Sequence, residues 1–263
     1  MNDWRSYDRA ADTYERIHAP RFAGVARDLS ALAGVRPGAR VLDVGTGTGA
    51  SADVVKEMGA TPVGVDPSLG MLDLARERRP GIRFVAAEAI DLPFGPGSFD
   101  TALGNFVLAH FTKVETALFD IIRVTKPGGV IGFSTWMDGR DAFSDTWREL
   151  VLTVVPEDML EQTLAKAVPN HDRFARRAPV EETFIDAGLR HVRTEPMRYE
   201  WRYTREEYVE GLTTWATGRF VREMLGEDDW KRFMERAHEV FADRFPDPLH
   251  DMREVLLAIG TKE

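Results

Sequence analysis

The chain has 263 residues, 43% apolar and 29% charged, a globular composition long enough for one large domain or one domain with an embedded subdomain. Cysteine is absent, which excludes a disulfide framework, a thiolate metal site and a cysteine nucleophile. With 34 basic and 43 acidic residues the net charge is −9, which opposes long-range attraction to nucleic acid.

The opening MNDWRSYDRAADTYER mixes acids with bases and lacks an apolar h-region, so no signal peptide is expected and the reading is of a cytoplasmic protein. From Ser6 to Leu32 apolar residues recur at helical spacing, and Pro20 is expected to break this stretch into two helices. Gly34 and the Arg36-Pro37-Gly38 turn close it. Short β-branched runs follow at Arg40 to Val44, Thr61 to Val65, Ile82 to Ala86, Phe99 to Asn105 and Gly129 to Thr135. Helical stretches at Ser51 to Met58, Ser68 to Arg79 and Lys113 to Thr125 lie between them. This alternation predicts parallel strands joined by right-handed crossovers in an open, doubly wound α/β sheet. Glu88 to Ser98, with two prolines and two glycines, reads as a loop. The longest nearly apolar run, Phe106 to Phe111, falls far short of the roughly 20 residues of a membrane-spanning helix, so no membrane insertion is expected.

Beyond Trp136 the rhythm changes. Residues 138–178 are predicted mostly helical, interrupted at Pro156 and Pro169, and a helix from Val180 to Ala187 ends at Gly188. His191 to Trp201 reads as a strand that Pro196 restricts to an edge or a bulge. A second helical block runs from Thr204 to Phe245, and Glu254 to Thr261 is the last strand. Both helical blocks follow strands whose carboxyl ends form a ligand crevice, so they are expected to cover it as a lid.

Val41 to Ala50, VLDVGTGTGA, carries an apolar strand into Gly45, Gly47 and Gly49 and then into a helix. Such glycines permit a tight turn and close approach of a ligand, with unpaired amides expected at the helix start. The stretch also satisfies a dinucleotide pattern, with Asp66 placed 21 residues after Gly45, so two cofactor classes compete for one loop. Asp43 separates them. A carboxylate about 4 Å from a pyrophosphate costs roughly 1–4 kcal/mol, whereas a ligand presenting an ammonium group is attracted. A carboxylate that only braces the turn is the alternative for Asp43.

Taken in order from about Tyr7 to Trp136, these motifs resemble the class I S-adenosylmethionine-dependent methyltransferases, in the small-molecule branch that includes the ubiquinone and menaquinone biosynthesis enzymes. VLDVGTGTGA resembles the family's first motif and implies that Asp43, Gly45, Thr46 and Gly47 hold the amino-acid end of S-adenosylmethionine. VGVDPSLGMLDLAR resembles the second, whose acid binds both ribose hydroxyls; Asp66 fits because a carboxylate accepts two hydrogen bonds at once. Pro67, Ser68 and Met71 would then flank the adenine. AAEAIDLPFGPGSFD is similar to the third motif, which implies Glu88 for the adenine amino group and the Ala89 amide for the ring. GNFVLAHF resembles the end of the fourth strand and implies Asn105, Phe106 and His110 at the cofactor; RVTKPGGVIGFSTW resembles the fifth strand with its turn. One departure is Ala109, where the family often has the first of two adjacent histidines. The leading YDRAADTYE resembles the helix that closes over the cofactor and implies Tyr14 at the methionine carboxylate; the stripe Tyr7, Ala10, Ala11, Tyr14 equally suits a core tyrosine.

The resemblance implies a Rossmann-like sheet, mostly parallel with an antiparallel final strand, plus a helical lid built from two insertions. N-terminal helices and the cofactor-binding core take residues 1–137, lid segments 138–178 and 204–250, a core helix and strand 179–203, and the final strand 251–263. The activity it implies is in-line methyl transfer to a small, largely apolar metabolite. Two other functions share the loop. An NAD-dependent oxidoreductase is disfavoured by Asp43, by Glu88 and by the lack of a Tyr-x-x-x-Lys pair. An S-adenosylmethionine-binding protein doing other chemistry would carry the same cofactor residues.

A hydroxyl or amine acceptor loses a proton as it is methylated, and histidine suits a base near neutrality. His110, after the fourth strand, is the first candidate, against a buried histidine bonded to backbone. His171, in PNHDRF, is the second, against a solvated loop histidine. His18 belongs at the entrance or in the core, while His191, His238 and His250 have no evident route to the methyl group. Trp136 and Phe106 either stack on a planar acceptor or pack. Arg173, Arg176 and Arg177 either bind an anionic substrate group or form a solvated face. No HExxH, CxxC or Walker lysine occurs, so no metal site is expected.

Overall fold

The computed structural model describes residues 5–139 and 141–263. The first half contains α1 (Arg5–Asp8), α2 (Ala11–Ile17), α3 (Ala19–Leu32), β1 (Arg40–Val44), α4 (Ala50–Glu57), β2 (Thr61–Asp66), α5 (Leu69–Arg78), β3 (Arg83–Ala86), β4 (Phe99–Asn105), a 3₁₀ turn (Leu108–His110), α6 (Val114–Val124) and β5 (Thr125–Trp136). The second half adds α7 (Ala142–Leu152), α8 (Glu157–Ala167), α9 (His171–Phe174), α10 (Arg177–Asp186) and β6 (Arg190–Tyr203). It ends with α11 (Arg205–Leu212), α12 (Ala216–Met224), α13 (Glu227–Arg244) and β7 (Leu249–Thr261).

The strands form one sheet in the order β3-β2-β1-β4-β5-β7-β6. β1 to β5 are parallel, and β7 runs antiparallel between β5 and β6. Side chains alternate across the sheet with a period of two. Val41 of β1 and Val255, Leu257 and Ile259 of β7 face the layer that contains α3 and α13. Leu42, Val44, Leu256 and Ala258 face the layer that contains α6 and α10. The chain order reverses between β1 and β4, and in such sheets the crevice at that switch point is where ligands bind.

Several boundaries differ from the sequence reading. The N-terminal break falls at His18, and Pro20 sits in the first turn of α3, where a missing N–H leaves no intrahelical bond unmade. β5 begins four residues before Gly129, because Thr125 already pairs with Phe99 of β4; Gly128 N–H then donates to Lys262 O (2.7 Å) and Lys262 N–H to Gly129 O (2.9 Å). β7 begins at Leu249, not Glu254, since its polar opening LHDMR pairs with the aromatic end of β6, Tyr203 opposite Leu249. Pro196 lies on β6, an edge strand, as its lack of an N–H requires. No helix among the described residues is long and apolar enough to cross a membrane.

Candidate active site

A cavity of about 720 Å³ opens where the five parallel strands end, and each strand end contributes to its wall: Val44, Asp66, Glu88, Phe106 and Trp136. Leu164, Val168 and His171 enter from the α8–α9 region, and Trp215, Thr217 and Arg219 from α12 and the turn before it.

The turn after β1 is left-handed at Gly45 (φ 67°) and Gly47 (φ 54°), a conformation that side-chain-bearing residues adopt at a cost. A Cβ on Gly45 would lie 2.4 Å from Val107 Cγ2. Three amides of the turn itself, ahead of the helix start at Ala50, are already taken. Thr46 N–H donates to Val65 O (3.0 Å), Gly47 N–H to Asp66 Oδ2 (2.9 Å) and Gly49 N–H to Thr46 O (2.8 Å). The reason is the neighbouring parallel strand, whose end offers acceptors at the height of the turn.

Asp66 also accepts Ser68 N–H on Oδ1 (2.9 Å), so each oxygen holds one backbone amide and keeps lone-pair capacity for another donor. Burial raises its pKa to about 6, against the lowering by those two amides. Gly45, Gly47, Pro67, Met71, Glu88, Ala89, Asn105 and Phe106 line the cavity with it.

Three expected cofactor residues do not reach the wall. Asp43 is only 1% exposed and does not line the cavity; its Oδ2 accepts the Thr46 hydroxyl at 2.5 Å. Burial lifts its pKa to about 7. Thr46 turns inward to make that bond. Ser68 is buried as the N-cap of α5, accepting Met71 N–H (3.2 Å) and donating to Asp8 Oδ1 (2.7 Å). These three brace the site from behind.

Tyr14 lines the cavity beside Gly47, its Cε1 3.9 Å from where a Cβ on that glycine would sit. It also packs on the aromatic core at Phe22, with ring centroids 6.2 Å apart. Burial and the nearby Asp66 and Asp43 keep its phenol protonated. Its helix is fastened over the turn by Glu15, whose Oε1 lies 2.9 Å from Arg79 Nη1, which also donates to Thr48 O (2.7 Å).

Phe106 is held at φ 59°, unusual for an aromatic residue. Its amide donates to Ser134 Oγ (2.9 Å), Ser134 donates to Asn105 Oδ1 (2.5 Å), and Asn105 Nδ2 donates to Phe22 O (3.2 Å). The ring stacks on Trp136 with centroids 4.1 Å apart and planes 14° from parallel. This pair forms an aromatic wall whose faces are partly spent on each other.

His110 lines the cavity with Nδ1 3.3 Å from Ala167 O, which sets a neutral ring with its proton on Nδ1. Burial, with the Arg219 charge, lowers its pKa to about 4, well below the range where a base is efficient. His171 sits at the exposed end of the wall. His18 is 3% exposed, bonded to Gly211 O (3.1 Å) and stacked on Phe22; it is a core residue. Arg173, Arg176 and Arg177 lie off the cavity: Arg173 binds Thr183, and Arg177 binds Thr194. The cavity arginine is Arg219, which sequence reasoning missed together with Tyr7, Phe22 and Trp215. Their helical stripes were visible in the sequence, but nothing local distinguishes a stripe that meets a cavity from one that meets a core.

Residues 42–133 match the methyltransferase domain family. The chain is 46% identical over 96 residues to a demethylmenaquinone methyltransferase of Renibacterium salmoninarum, covering 36% of this chain and 40% of that one. It is 32% identical over 148 residues to a malonyl-[acyl-carrier protein] O-methyltransferase of Pectobacterium atrosepticum, covering 56% and 58%. The chain thus spans about half the length of the curated relatives it matches. The fold is shared with a Haemonchus contortus phosphoethanolamine N-methyltransferase 2, at a TM-score of 0.62 and 18% identity over 100% of this chain and 60% of that chain. Over residues 42–133 the chain is thus similar to methyltransferase domains, those of demethylmenaquinone methyltransferases among them.

Proposed function

We propose that this protein transfers a methyl group from S-adenosylmethionine to a small, largely apolar acceptor. The observation that carries the reading is the charge at the cofactor end. Asp66 and Glu88 line it, Asp43 lies behind it, and the Gly47 amide that a phosphate would seek is taken by Asp66. Among the described residues no lysine or arginine lines the cavity at that end, and Arg79, bonded to Thr48 O behind the turn, is paired with Glu15. A dinucleotide diphosphate would meet carboxylates without a counter-charge, whereas an ammonium and a ribose diol meet acceptors.

Tyr14, Gly45, Gly47, Asp66, Pro67, Met71, Glu88, Ala89, Asn105 and Phe106 are the residues we assign to the cofactor, with Asp43, Thr46 and Ser68 behind them. When bound, S-adenosylmethionine supplies an already activated methyl group. The protein's share is then to hold the acceptor in line and exclude water, and such positioning is worth about 7–11 kcal/mol. The segments 138–178 and 204–250 are assigned as the water-excluding lid over a core of 1–137, 179–203 and 251–263. His110 and His171 stand on the acceptor side, with a small share assigned to proton transfer. The lack of cysteine and the −9 charge support a cytoplasmic enzyme of small molecules rather than of nucleic acid.

Calorimetric titration with S-adenosylmethionine, S-adenosylhomocysteine and NAD tests the assignment. Binding of the first two and not of NAD is expected; binding of NAD alone overturns it. Labelled methyl transfer to a panel of hydroxylated and amino apolar compounds then tests the activity.

A further inference from the structure

Arg219, on α12, is the one lysine or arginine on the cavity wall among the described residues. Its guanidinium lies 3.7 Å over the Tyr7 ring, donates Nε–H to Ser6 Oγ (3.2 Å) and donates from Nη1 to Thr214 O. Ring and backbone thus fix the plane of the group. Two of its five N–H donors are used in this way, and among the described residues no acceptor meets Nη2. Glu161 and Asp172 share the wall, yet no carboxylate among the described residues forms an ion pair with Arg219. Other paired arginines are common here, as at Arg21 with Glu207 and Arg253 with Asp141, so the isolation of this one is a feature of the site.

A half-buried cation without a counter-charge is costly, and the cost is relieved by an anion that enters with the ligand. The outer edge of the guanidinium, Nη1 and Nη2 together, presents a planar fork that matches a carboxylate. Thr217 adds a donor: its Oγ1 accepts Trp147 Nε1–H at 2.9 Å, which leaves its own hydroxyl proton for a ligand. The surrounding wall is apolar and aromatic, from Phe22, Phe106, Trp136 and Trp215. One cation balances a single negative charge better than the double charge of a phosphate monoester.

We infer that Arg219 forms an anion subsite at the acceptor end of the cavity, and that the acceptor is an apolar or aromatic carboxylic acid. This deepens the methyltransferase reading and rests on it. The acid would lie with its apolar body against the aromatic wall and its carboxylate on the lid arginine, which couples acceptor binding to seating of α12.

The test is calorimetric titration of the protein saturated with S-adenosylhomocysteine, using 2-naphthoate and octanoate against their primary amides. The carboxylates are expected to bind about tenfold or more tightly than the amides. Arg219→Gln should bring the ratio to near one with amide affinity unchanged, and Arg219→Lys should retain part of the preference. Equal affinities in the native protein, no carboxylate binding at all, or a preference that survives Arg219→Gln would each overturn the subsite. If Arg219→Gln loses the amides as well, Arg219→Lys decides: a retained preference supports the subsite and a lost one overturns it. Failure of S-adenosylhomocysteine to bind counts instead against the methyltransferase reading, and the acid-to-amide ratio is then measured without it.

Discussion

Gly47 N–H donates to Asp66 Oδ2 over 2.9 Å, so one carboxylate both grips the turn after β1 and faces the cavity. Substitution at Asp66 therefore acts twice. Asp66→Ala should weaken S-adenosylhomocysteine binding by about 2–3 kcal/mol, roughly 30- to 150-fold, through loss of charge-assisted bonds and loosening of the turn. Asp66→Asn should fall between. Unchanged affinity by calorimetry would remove Asp66 from the ribose.

Cofactor affinity should depend on pH through the raised carboxylates. Asp66 titrates near 6 and Asp43 near 7 in the ligand-free protein, both because burial disfavours their charge. A ligand with an ammonium group favours the ionised forms, so binding releases protons and tightens as pH rises, levelling above about 7. Between pH 7 and 6 the affinity should fall by up to about tenfold per pH unit, and below 6, where both carboxyls take up a proton, by up to about a hundredfold. Titration in buffers of different ionisation enthalpy reads the proton count, and net proton uptake on binding would contradict the scheme.

Asp43→Asn should stabilise the ligand-free protein. The folded pKa of Asp43 lies above its unfolded value, so the ionised form costs stability, and that cost grows as pH rises from about 4 to 7. The amide keeps an oxygen for the Thr46 hydroxyl, which limits the loss on that side. A gain of about 1–3 kcal/mol is expected at pH 8, shrinking toward pH 5, with weaker cofactor binding. Urea unfolding at the two pH values measures it; a gain that is constant with pH points to packing rather than charge.

Gly45→Ala should destabilise the fold by about 2–4 kcal/mol. The residue has φ 67°, and its new methyl would meet Val107 Cγ2 at 2.4 Å. Adding Val107→Ala should recover part of the loss in thermal melts, because the clash and the strain are separate costs. Full recovery would mean that the left-handed backbone carries no cost.

His110→Ala should slow turnover by less than about tenfold. With its pKa near 4, the ring stays neutral from pH 5 upward, so kcat/KM should show no inflection near 6.5 from this group. A hundredfold loss, with an inflection that disappears in the variant, would restore it as the base.

The parallel core was legible because each of its rules is local. β1 and β4 fall where the β-branched runs stood, at Arg40–Val44 and Phe99–Asn105, and the loop from Glu88 to Ser98 contains no helix. The glycine turn and Asp66 were legible for the same reason, since a strand, a left-handed turn and a helix start lie within ten residues. β7 was less so. Its first residues, Leu249–Arg253, alternate no apolar side chains, and they become strand through pairing with a β6 edge some fifty residues earlier. Asp43 shows the same limit in the site: its charge and position were plain from the sequence, but the face it takes depends on register with β2 and β4.

The sequence alone determined the order of strands and helices, the glycine turn and the acids that disfavour a phosphate, because periodicity, backbone freedom and charge belong to neighbouring residues. Only the tertiary structure decided which side chains share the cavity. It turned Asp43 inward, kept His110 neutral by burial, and brought Tyr7 of α1 under Arg219 of α12, more than two hundred residues on. Those outcomes depend on long-range packing, and packing sets dielectric and distance, which no local pattern encodes.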